Sequence, residues 1–455
     1  MLSSPSPIIY QLFLRAFTPQ GTFVSAKKLI PHIASLGVDI IYLCPVALAD
    51  DDPDLSRFSE RQMKSGFGNP KNPYRIKDYY TIDPEYGTDA ELAGFIDEAH
   101  RLGMRVILDL VYFHCGPSAV FIADHPDYVM RGADGSVIDG QWHFPRLNFE
   151  CADLRRYLID NMLWLVSDIG CDGFRCDVGD GVPVDFWEQA RNEVSAVKPD
   201  IFMLNEGSKP EMMKKAFDAC YGFGWQFVIH KIAEGEKKAS KIAEHIEGER
   251  ARLPEPDMIG CELRNYDNHD IANDDYDDRF EKRVGPRCAE ALTVLDFTVP
   301  GIPFIYNGNE IGDTARHSIF ASREKGGSCV IDWSSALTDG GRRRMEIIKK
   351  LSALRRELPS LSMGDIAFIE NDRPDEVISF VREYDAGIGS GLIRSAEEPD
   401  SSSVVINMSD RPLTVNIVSE SDFDAVYIES GTQRSFNGKT LRIDMLPWGY
   451  IAGRM

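Results

Sequence analysis

Four short apolar runs in this chain end in residues that can move protons or attack carbon. They are DLVYFH (109–114), GFRCD (173–177), MLNE (203–206) and RNYDNHD (264–270). Together they supply Asp109, His114, Arg175, Asp177, Glu206, Asn268, His269 and Asp270. Arg175 and Asp177 stand two apart and so share one face of a strand. Carboxylates gathered in one place raise one another's pKa, because each negative charge disfavours the next. Arg175 is positioned to keep Asp177 ionised, whereas a carboxyl lacking such a partner stays protonated. That division makes Asp177 a nucleophile and Glu206 a proton donor, the two-carboxylate arrangement of glycoside hydrolysis. The same groups suit a divalent cation, and hence a metal-dependent lyase or hydrolase. An arginine beside the central carboxylate argues against that cation. Taken singly, the residues have plainer readings. Arg175–Asp177 would serve as a buried structural ion pair, and His114 and His269 as hydrogen-bonded core histidines.

Convergence of these runs requires a fold that gathers strand ends. Strands are predicted at Ile8–Phe13, Asp39–Leu43, Arg105–Val111, Asp172–Cys176, Ile201–Asn205, Tyr221–Phe227, Met258–Arg264 and Ile302–Tyr306. Helical patterns lie between them, as at Glu91–Arg101, Leu154–Ile169, Asp185–Val197 and Arg342–Arg355. Eight alternations, with strands apolar on both faces, imply an α/β fold, a closed parallel (β/α)8 TIM barrel. The alternative, a doubly wound open sheet, lacks a GxGxxG after its first strand. The stretch from Cys115 to Ala152 is too long for a tight connection and forms a small inserted excursion after the third strand. The acidic loop from Ala47 to Tyr80 is also long. Beyond about Ile366, short alternating runs broken by Gly, Pro, Ser and Asp describe a C-terminal antiparallel β-sandwich domain. The organisation expected is barrel over 1–114, inserted domain over 115–152, barrel again over 153–360, and β domain over 361–455.

Composition excludes several function classes. The chain has 455 residues, with 50 Lys and Arg against 72 Asp and Glu, for a net charge of −22. Such a surface repels nucleic acid and anionic membrane and leaves small neutral substrates open. The nine cysteines are scattered without a CxxC, which suits reduced core thiols rather than zinc ligands or a disulfide framework. No signal-peptide pattern and no run of about 18 apolar residues is seen, so a cytoplasmic address is expected.

The four runs resemble, in order and spacing, the four signature regions of the α-amylase family of retaining glycoside hydrolases. NPYRIKDYYTIDPEYGT (72–88), PGIPFIYNGNEIG (300–312) and LRIDMLPWGYIAGRM (441–455) resemble further family segments, so the likeness spans essentially the whole chain. The resemblance implies roles by position. Asp177 matches the nucleophile, Glu206 the general acid/base, and Asp270 the third carboxylate, which grips sugar hydroxyls. Arg175 matches the residue that orients the nucleophile. His114 and His269 match the pair that hydrogen-bonds the sugar, and Tyr74 the aromatic platform beneath it. Asp109 supports the arginine and histidine. Trp142 and Trp225 are sugar-stacking candidates that serve equally as core or loop anchors.

Departures from the family pattern carry information too. Phe113, Arg146 and Gly181 occupy three positions that commonly supply ligands to a structural calcium. A phenyl ring has no donor atom and a guanidinium is positive, so the usual calcium site is expected to be absent, with no cofactor. The acidic runs DDDPD (50–54) and NDDYDD (273–278) read as solvated faces. Asp180-Gly181 replaces the Lys-His pair of many starch-cleaving members. Val178 occurs at the same position in the family's α-1,6-glucosidases, but Arg75 stands where those enzymes carry an aspartate. The resemblance therefore favours hydrolysis of α-1,4 bonds in maltooligosaccharides. The alternatives are an α-1,6-glucosidase, a transglycosylase, a trehalose-forming isomerase and, remotely, a non-catalytic member like the amino-acid-transporter heavy chains.

Overall fold

A computed structural model describes residues 6–253, 260–272, 279–322, 329–384 and 400–455. Eight parallel strands make the central barrel: β1 (Ile9–Leu12), β2 (Ile40–Leu43), β5 (Arg105–Leu110), β6 (Gly173–Cys176), β7 (Phe202–Asn205), β8 (Ala219–Cys220), β9 (Leu263–Arg264) and β10 (Ile302–Tyr306). The hairpin β3 (Ala47–Ala49) and β4 (Ile76–Ile82) lies outside it. The spatial order is β8-β7-β6-β5-β2-β1-β10-β9, and a parallel bridge from Cys220 to Glu262 closes the ring. Residues on both faces of each barrel strand are buried, as helices outside and packed side chains inside require. Helix starts are locally encoded: Thr88 and Glu91 form a reciprocal capping box at Asp89–Arg101, and Thr338 caps Asp339–Glu357.

One expected strand is a helix. The run YGFGWQF (221–227) places an aromatic at every second position and so imitates a half-buried strand. The strand is instead the two residues of β8, and Phe223–Ala233 is helical. Gly222, just before this helix, passes so close to the Leu263 carbonyl that any side chain there would collide with it. The helix separates the aromatics: Trp225 is buried, while Phe223 and Phe227 face outward. The seventh expected strand shortens to Leu263–Arg264, and Met258 and Ile259 lie outside the described residues.

The long loop after β2 is ordered by the antiparallel β3–β4 pair, which carries the Tyr74 segment toward the barrel mouth. Between β5 and the helix Ala152–Trp164 the chain makes four antiparallel bridges, among them His114 with Arg146 and Val129 with Leu147. The C-terminal strands are β11 (Asp365–Phe368), β12 (Val377–Tyr384), β13 (Asp400–Asn407), β14 (Leu413–Val418), β15 (Ala425–Phe436) and β16 (Thr440–Arg454). They form one antiparallel sheet whose two halves share β16. That strand pairs with β14 through Thr440–Met445 and with β13 through Tyr450–Gly453. Trp448, at φ 58°, marks the bend between the halves. Val405, Val415, Ile417, Leu441, Ile443 and Ile451 make a core inside the bend. Phe380, Val404, Ile406 and Tyr450 join the barrel's apolar cluster instead. Cys44, Cys115, Cys171, Cys176, Cys220 and Cys288 are buried free thiols. Among the described residues, no helix is long and apolar enough to cross a membrane.

Candidate active site

The C-terminal ends of β5, β6 and β7 present Asp109, Arg175, Asp177 and Glu206 to one another. Arg175 is wholly buried. Its Nη1 donates to Asp109 Oδ1 at 2.7 Å and to Asp177 Oδ1 at 3.0 Å, and its Nη2 lies 2.6 Å from Glu206 Oε1. The rings of Tyr42, Tyr74 and Tyr221 surround the guanidinium, with centroids 5.8, 5.9 and 5.4 Å away. This corrects the expectation that Arg175 serves Asp177 while Glu206 lacks a cation, because one arginine spans three carboxylates. Asp109 is held by Arg175 and by the hydroxyls of Tyr42 and Tyr74, at 2.6 and 3.0 Å from its Oδ2.

The difference between Asp177 and Glu206 therefore lies elsewhere. Asp177 Oδ1 is tied to Arg175, while its buried Oδ2 has no hydrogen-bond partner among the described residues. Glu206 Oε2 accepts the backbone N–H of Val178 at 2.7 Å. Val178 is at φ 45°, a left-handed conformation that costs a β-branched residue strain and aims this N–H at the acid. Burial pushes the Glu206 carboxyl up to about 7, against the pull of Arg175. Burial and the neighbouring Glu206 charge also raise Asp177 well above the ordinary carboxylate range. Two buried carboxyls sharing one partly committed arginine hold a proton between them near neutral pH.

β9 leads to His269 and Asp270. Gln11, at the end of β1, accepts the His269 backbone N–H on Oε1 at 3.1 Å. Its Nε2 therefore faces His269 Nδ1 as the donor, at 2.7 Å. Nδ1 is thus the acceptor, and Nε2–H lies 2.6 Å from the Tyr74 hydroxyl. The Tyr74 ring stacks on His269 at 5.4 Å. His114 donates from Nε2 to the Tyr74 carbonyl at 2.8 Å, leaving its buried Nδ1 as an acceptor without a partner among the described residues. Burial lowers both histidines to about 4, so both are neutral at neutral pH. Asp270 is bound by Arg61, whose Nη1 reaches Oδ1 at 2.8 Å and whose Nη2 reaches the Asp270 carbonyl at 3.0 Å. Burial acts to raise the Asp270 carboxyl, but His269 and Arg61 outweigh it and hold it below the usual range.

A cavity of about 520 Å³ opens above these groups. Tyr74, His114, Asp177, Glu206, His269 and Asp270 all line it. Trp142 and Phe144 of the inserted segment flank His114 at 5.3 and 5.1 Å and also line the cavity, as does Phe223. Trp225 does not face it; it is buried and donates to Asp296 at 2.7 Å. Asp180 accepts from Asn205, Ser208 and Lys209 at 2.9, 2.9 and 3.1 Å, and so braces the loop that follows Glu206. Arg75 is fully buried, with the rings of Phe58 and Phe144 at 5.6 and 5.7 Å, and bonds Asp50. Asp50 also accepts from Ser118 and is no solvated residue, whereas Asp51, Pro53 and Asp54 of the same run are exposed, as expected of a solvated face. NDDYDD (273–278) lies outside the described residues.

Phe113, Arg146 and Gly181 come together, but they do not fit a cation. The Arg146 guanidinium lies 4.8 Å from the centre of the Phe113 ring, and a side chain at Gly181 would begin 2.7 Å from that ring. The position holds a cation–π pair in place of oxygen ligands. Among the described residues, no cluster of three or more His, Cys, Asp or Glu is arranged to hold a metal.

Gln11, Tyr42 and Arg61 were missed from the sequence. Gln11 ends a predicted strand and was open to the same strand-end rule that singled out Asp177. Arg61 sits in a short loop helix with no motif to mark it.

A closed parallel barrel with buried carboxylates, histidines and one arginine at its C-terminal mouth defines a class of barrel proteins whose site is built for acid–base or covalent chemistry. Residues 21–131 and 139–353 match the model of the α-amylase catalytic domain, and the chain belongs to that family. It is 26% identical over 435 residues to an α-amylase of Haloarcula japonica, covering 91% of this chain and 57% of that protein. It is 26% identical over 396 residues to an intracellular maltogenic amylase of Bacillus subtilis, covering 79% of this chain and 59% of that one. The chain thus spans less than two thirds of the length of these relatives. The fold is shared with a maltogenic α-amylase from Thermotoga neapolitana, at a TM-score of 0.76 and 24% identity over 99% of this chain and 97% of that one.

Proposed function

We propose that this protein is a retaining α-glycoside hydrolase that cleaves α-1,4 bonds of maltooligosaccharides. The observation that carries this is the unpartnered Oδ2 of Asp177, buried at the cavity wall beside Glu206, whose carboxyl is raised to about 7. Asp177 Oδ2 attacks the anomeric carbon as Glu206 protonates the departing oxygen, so the C–O bond breaks as the glycosyl–aspartate ester forms. Glu206, now a carboxylate, takes a proton from water. The water oxygen displaces Asp177 and restores the α configuration. Asp270 binds ring hydroxyls through Oδ2 while Arg61 holds Oδ1. His114 offers Nδ1 as an acceptor to another hydroxyl, and Tyr74 supplies an aromatic face.

Position 75 offers the sugar no carboxylate, because it is an arginine, and a buried one; this supports α-1,4 over α-1,6 cleavage. The names of the relatives, an α-amylase and an intracellular maltogenic amylase, support an α-glucan substrate and an intracellular address. We further propose that the enzyme needs no calcium at the position of Phe113, Arg146 and Gly181. The testing experiment is a product time course on maltoheptaose, maltotriose, isomaltose, panose and sucrose. Maltoheptaose should shorten into α-anomers. Longer products would make the enzyme a transferase, and cleavage of isomaltose or panose alone would make it an α-1,6-glucosidase.

A further inference from the structure

The catalytic groups stand at the C-terminal ends of the barrel strands, and another cavity lies at the N-terminal ends. About 460 Å³ in volume, it is walled by the residues leading into β1 and β2, by Arg105 at the start of β5, and by Arg355 and Arg356 in the last turn of the helix Asp339–Glu357. Asp39 is the only acid among the described residues that line it. Both of its oxygens are in use: Oδ1 takes Arg356 Nη2 at 3.0 Å, and Oδ2 takes the Ile8 backbone N–H at 2.8 Å. Arg105 lies over the Phe202 ring at 5.4 Å and pairs with no carboxylate among the described residues. Arg355 is 3% exposed and has only neutral acceptors. Its Nη1 donates to the carbonyls of Phe297 and Leu361, both at 2.8 Å, and its Nη2 to the Gly301 carbonyl at 3.0 Å and to the Ser6 hydroxyl. Its buried Nε has no partner among the described residues. Burial lowers this guanidinium to about 9, with Asp39 opposing. Arg382, also buried, binds the carbonyls of Thr298 and Gly364 at 2.6 Å each, and burial and then the charge of Arg355 lower it. The Asp365 carboxylate near Arg382 is bound by Arg250.

We propose that this cavity binds a phosphate group, gripped by Arg105 and Arg356 and with its charge complemented by Arg355. A buried cation whose partners are all neutral is costly, because carbonyl dipoles replace water only in part. An anion in the cavity supplies the missing countercharge. Three arginines and a single, committed aspartate leave this corner with an excess of two positive charges, in a chain whose net charge is −22. That excess matches a phosphate dianion better than a carboxylate monoanion. The planar fork of a guanidinium also meets two phosphate oxygens at once, and Arg105 has no carboxylate to compete for it. The volume lies in the range of small-molecule sites and leaves room for an organic body attached to the phosphate. A ligand here does not compete with a glucan for the catalytic cavity, so the inference stands apart from the glycosidase reading.

The test is titration calorimetry at pH 7.5 and constant ionic strength, with sodium phosphate and glycerol 3-phosphate as probes. Phosphate should bind saturably at one site. Arg105→Gln and Arg356→Gln should each weaken that binding by roughly tenfold or more. At a hundredfold excess over Kd, the tighter probe should raise the parent's melting temperature by roughly 2–4 °C, and both variants should lose most of that rise. The Arg356 side chain is half exposed, so Arg356→Gln keeps the test decisive if Arg105→Gln does not fold. Tighter binding of glycerol 3-phosphate would assign the site to a small phosphate ester, and equal or weaker binding would assign it to inorganic phosphate. No saturable binding of either probe, or binding that the folded variants leave unchanged, overturns the proposal.

Discussion

Two of the buried arginines that meet carboxylates in the barrel differ in setting, one at the C-terminal mouth and one packed against the outer helices. At the C-terminal mouth, Arg175 meets Asp109, Asp177 and Glu206. Against the outer helices, Arg264 packs on Trp225 and makes a two-pronged pair with Glu249 at 2.9 and 2.7 Å, and Glu262 lies 3.7 Å from its Nη1. Burial, followed by Glu249, pushes Glu262 up to about 8, much as Glu206 is raised. The local electrostatics are alike, yet only one cluster can do chemistry. In the second cluster Glu249 pairs with Arg264, and Glu262 is taken by Arg252 at 2.6 Å. At the mouth, Asp177 keeps an oxygen without a partner, and a cavity of about 520 Å³ lies above it. A perturbed carboxyl is thus common to structural and reactive sites. The distinguishing marks are an unpartnered atom and room for a substrate.

The sharpest break of this comparison is to neutralise one carboxylate in each cluster. Asp177→Asn should lower kcat/KM on maltoheptaose by on the order of 10⁴ or more, because the proposed ester forms on its Oδ2. Glu262→Gln should stay within about threefold of the parent. A strong activity loss from Glu262→Gln would erase the distinction.

Next in size is Glu206→Gln. General acid catalysis contributes roughly 10²–10⁴-fold, and that loss is expected on natural glucans. α-Maltosyl fluoride needs little protonation of its leaving group and should lose far less. Equal losses would remove Glu206 from the proton-donor role.

The pH dependence separates the clusters more gently. Glu206 must carry its proton for the first step, so kcat/KM on maltoheptaose should fall as pH rises through about 7. Asp296, buried and bonded to the Trp225 N–H, is pushed up to about 8 by burial. A carboxyl whose folded pKa lies above its unfolded value holds its proton more tightly when folded. The stability it contributes is therefore fully present below the ordinary carboxyl range and lost as pH rises through about 8. Melting temperatures at pH 6 and pH 9 should show a fall in the parent that Asp296→Asn reduces by roughly a few degrees. An identical fall in both would sink the assignment. The activity profile against pH should be unchanged by Asp296→Asn, since this group is remote from the cavity.

The smallest effect expected is none. Prolonged EDTA treatment should leave the melting temperature within about 1 °C, because the Arg146 guanidinium lies over the Phe113 ring where the proposal removes the family's calcium ligands. A large drop would reveal a bound metal.

Much of the architecture was legible because its signals are local. Apolar runs of four to six residues alternate with capped amphipathic helices, so periodicity and end signals identify them within the sequence. The run at 221–227 defeated that logic, since its period of two came from aromatics that a helix divides between core and surface. The grouping of Asp109, Arg175, Asp177 and Glu206 was legible as well, because each ends a strand and a parallel barrel brings strand ends together.

The sequence by itself determined which chemical groups reach the barrel mouth, since strand ends are a local property and the fold gathers them. Only the tertiary structure decided how those groups are partnered. Arg175 is shared with Glu206, Gln11 sets the tautomer of a histidine 258 positions away, Arg61 reaches Asp270 across 209, and Arg75 is buried in the protein. The physical reason is that burial and hydrogen bonding, which set a carboxyl's proton affinity and leave one oxygen free, come from neighbours distant in the chain, and local pattern carries no record of them.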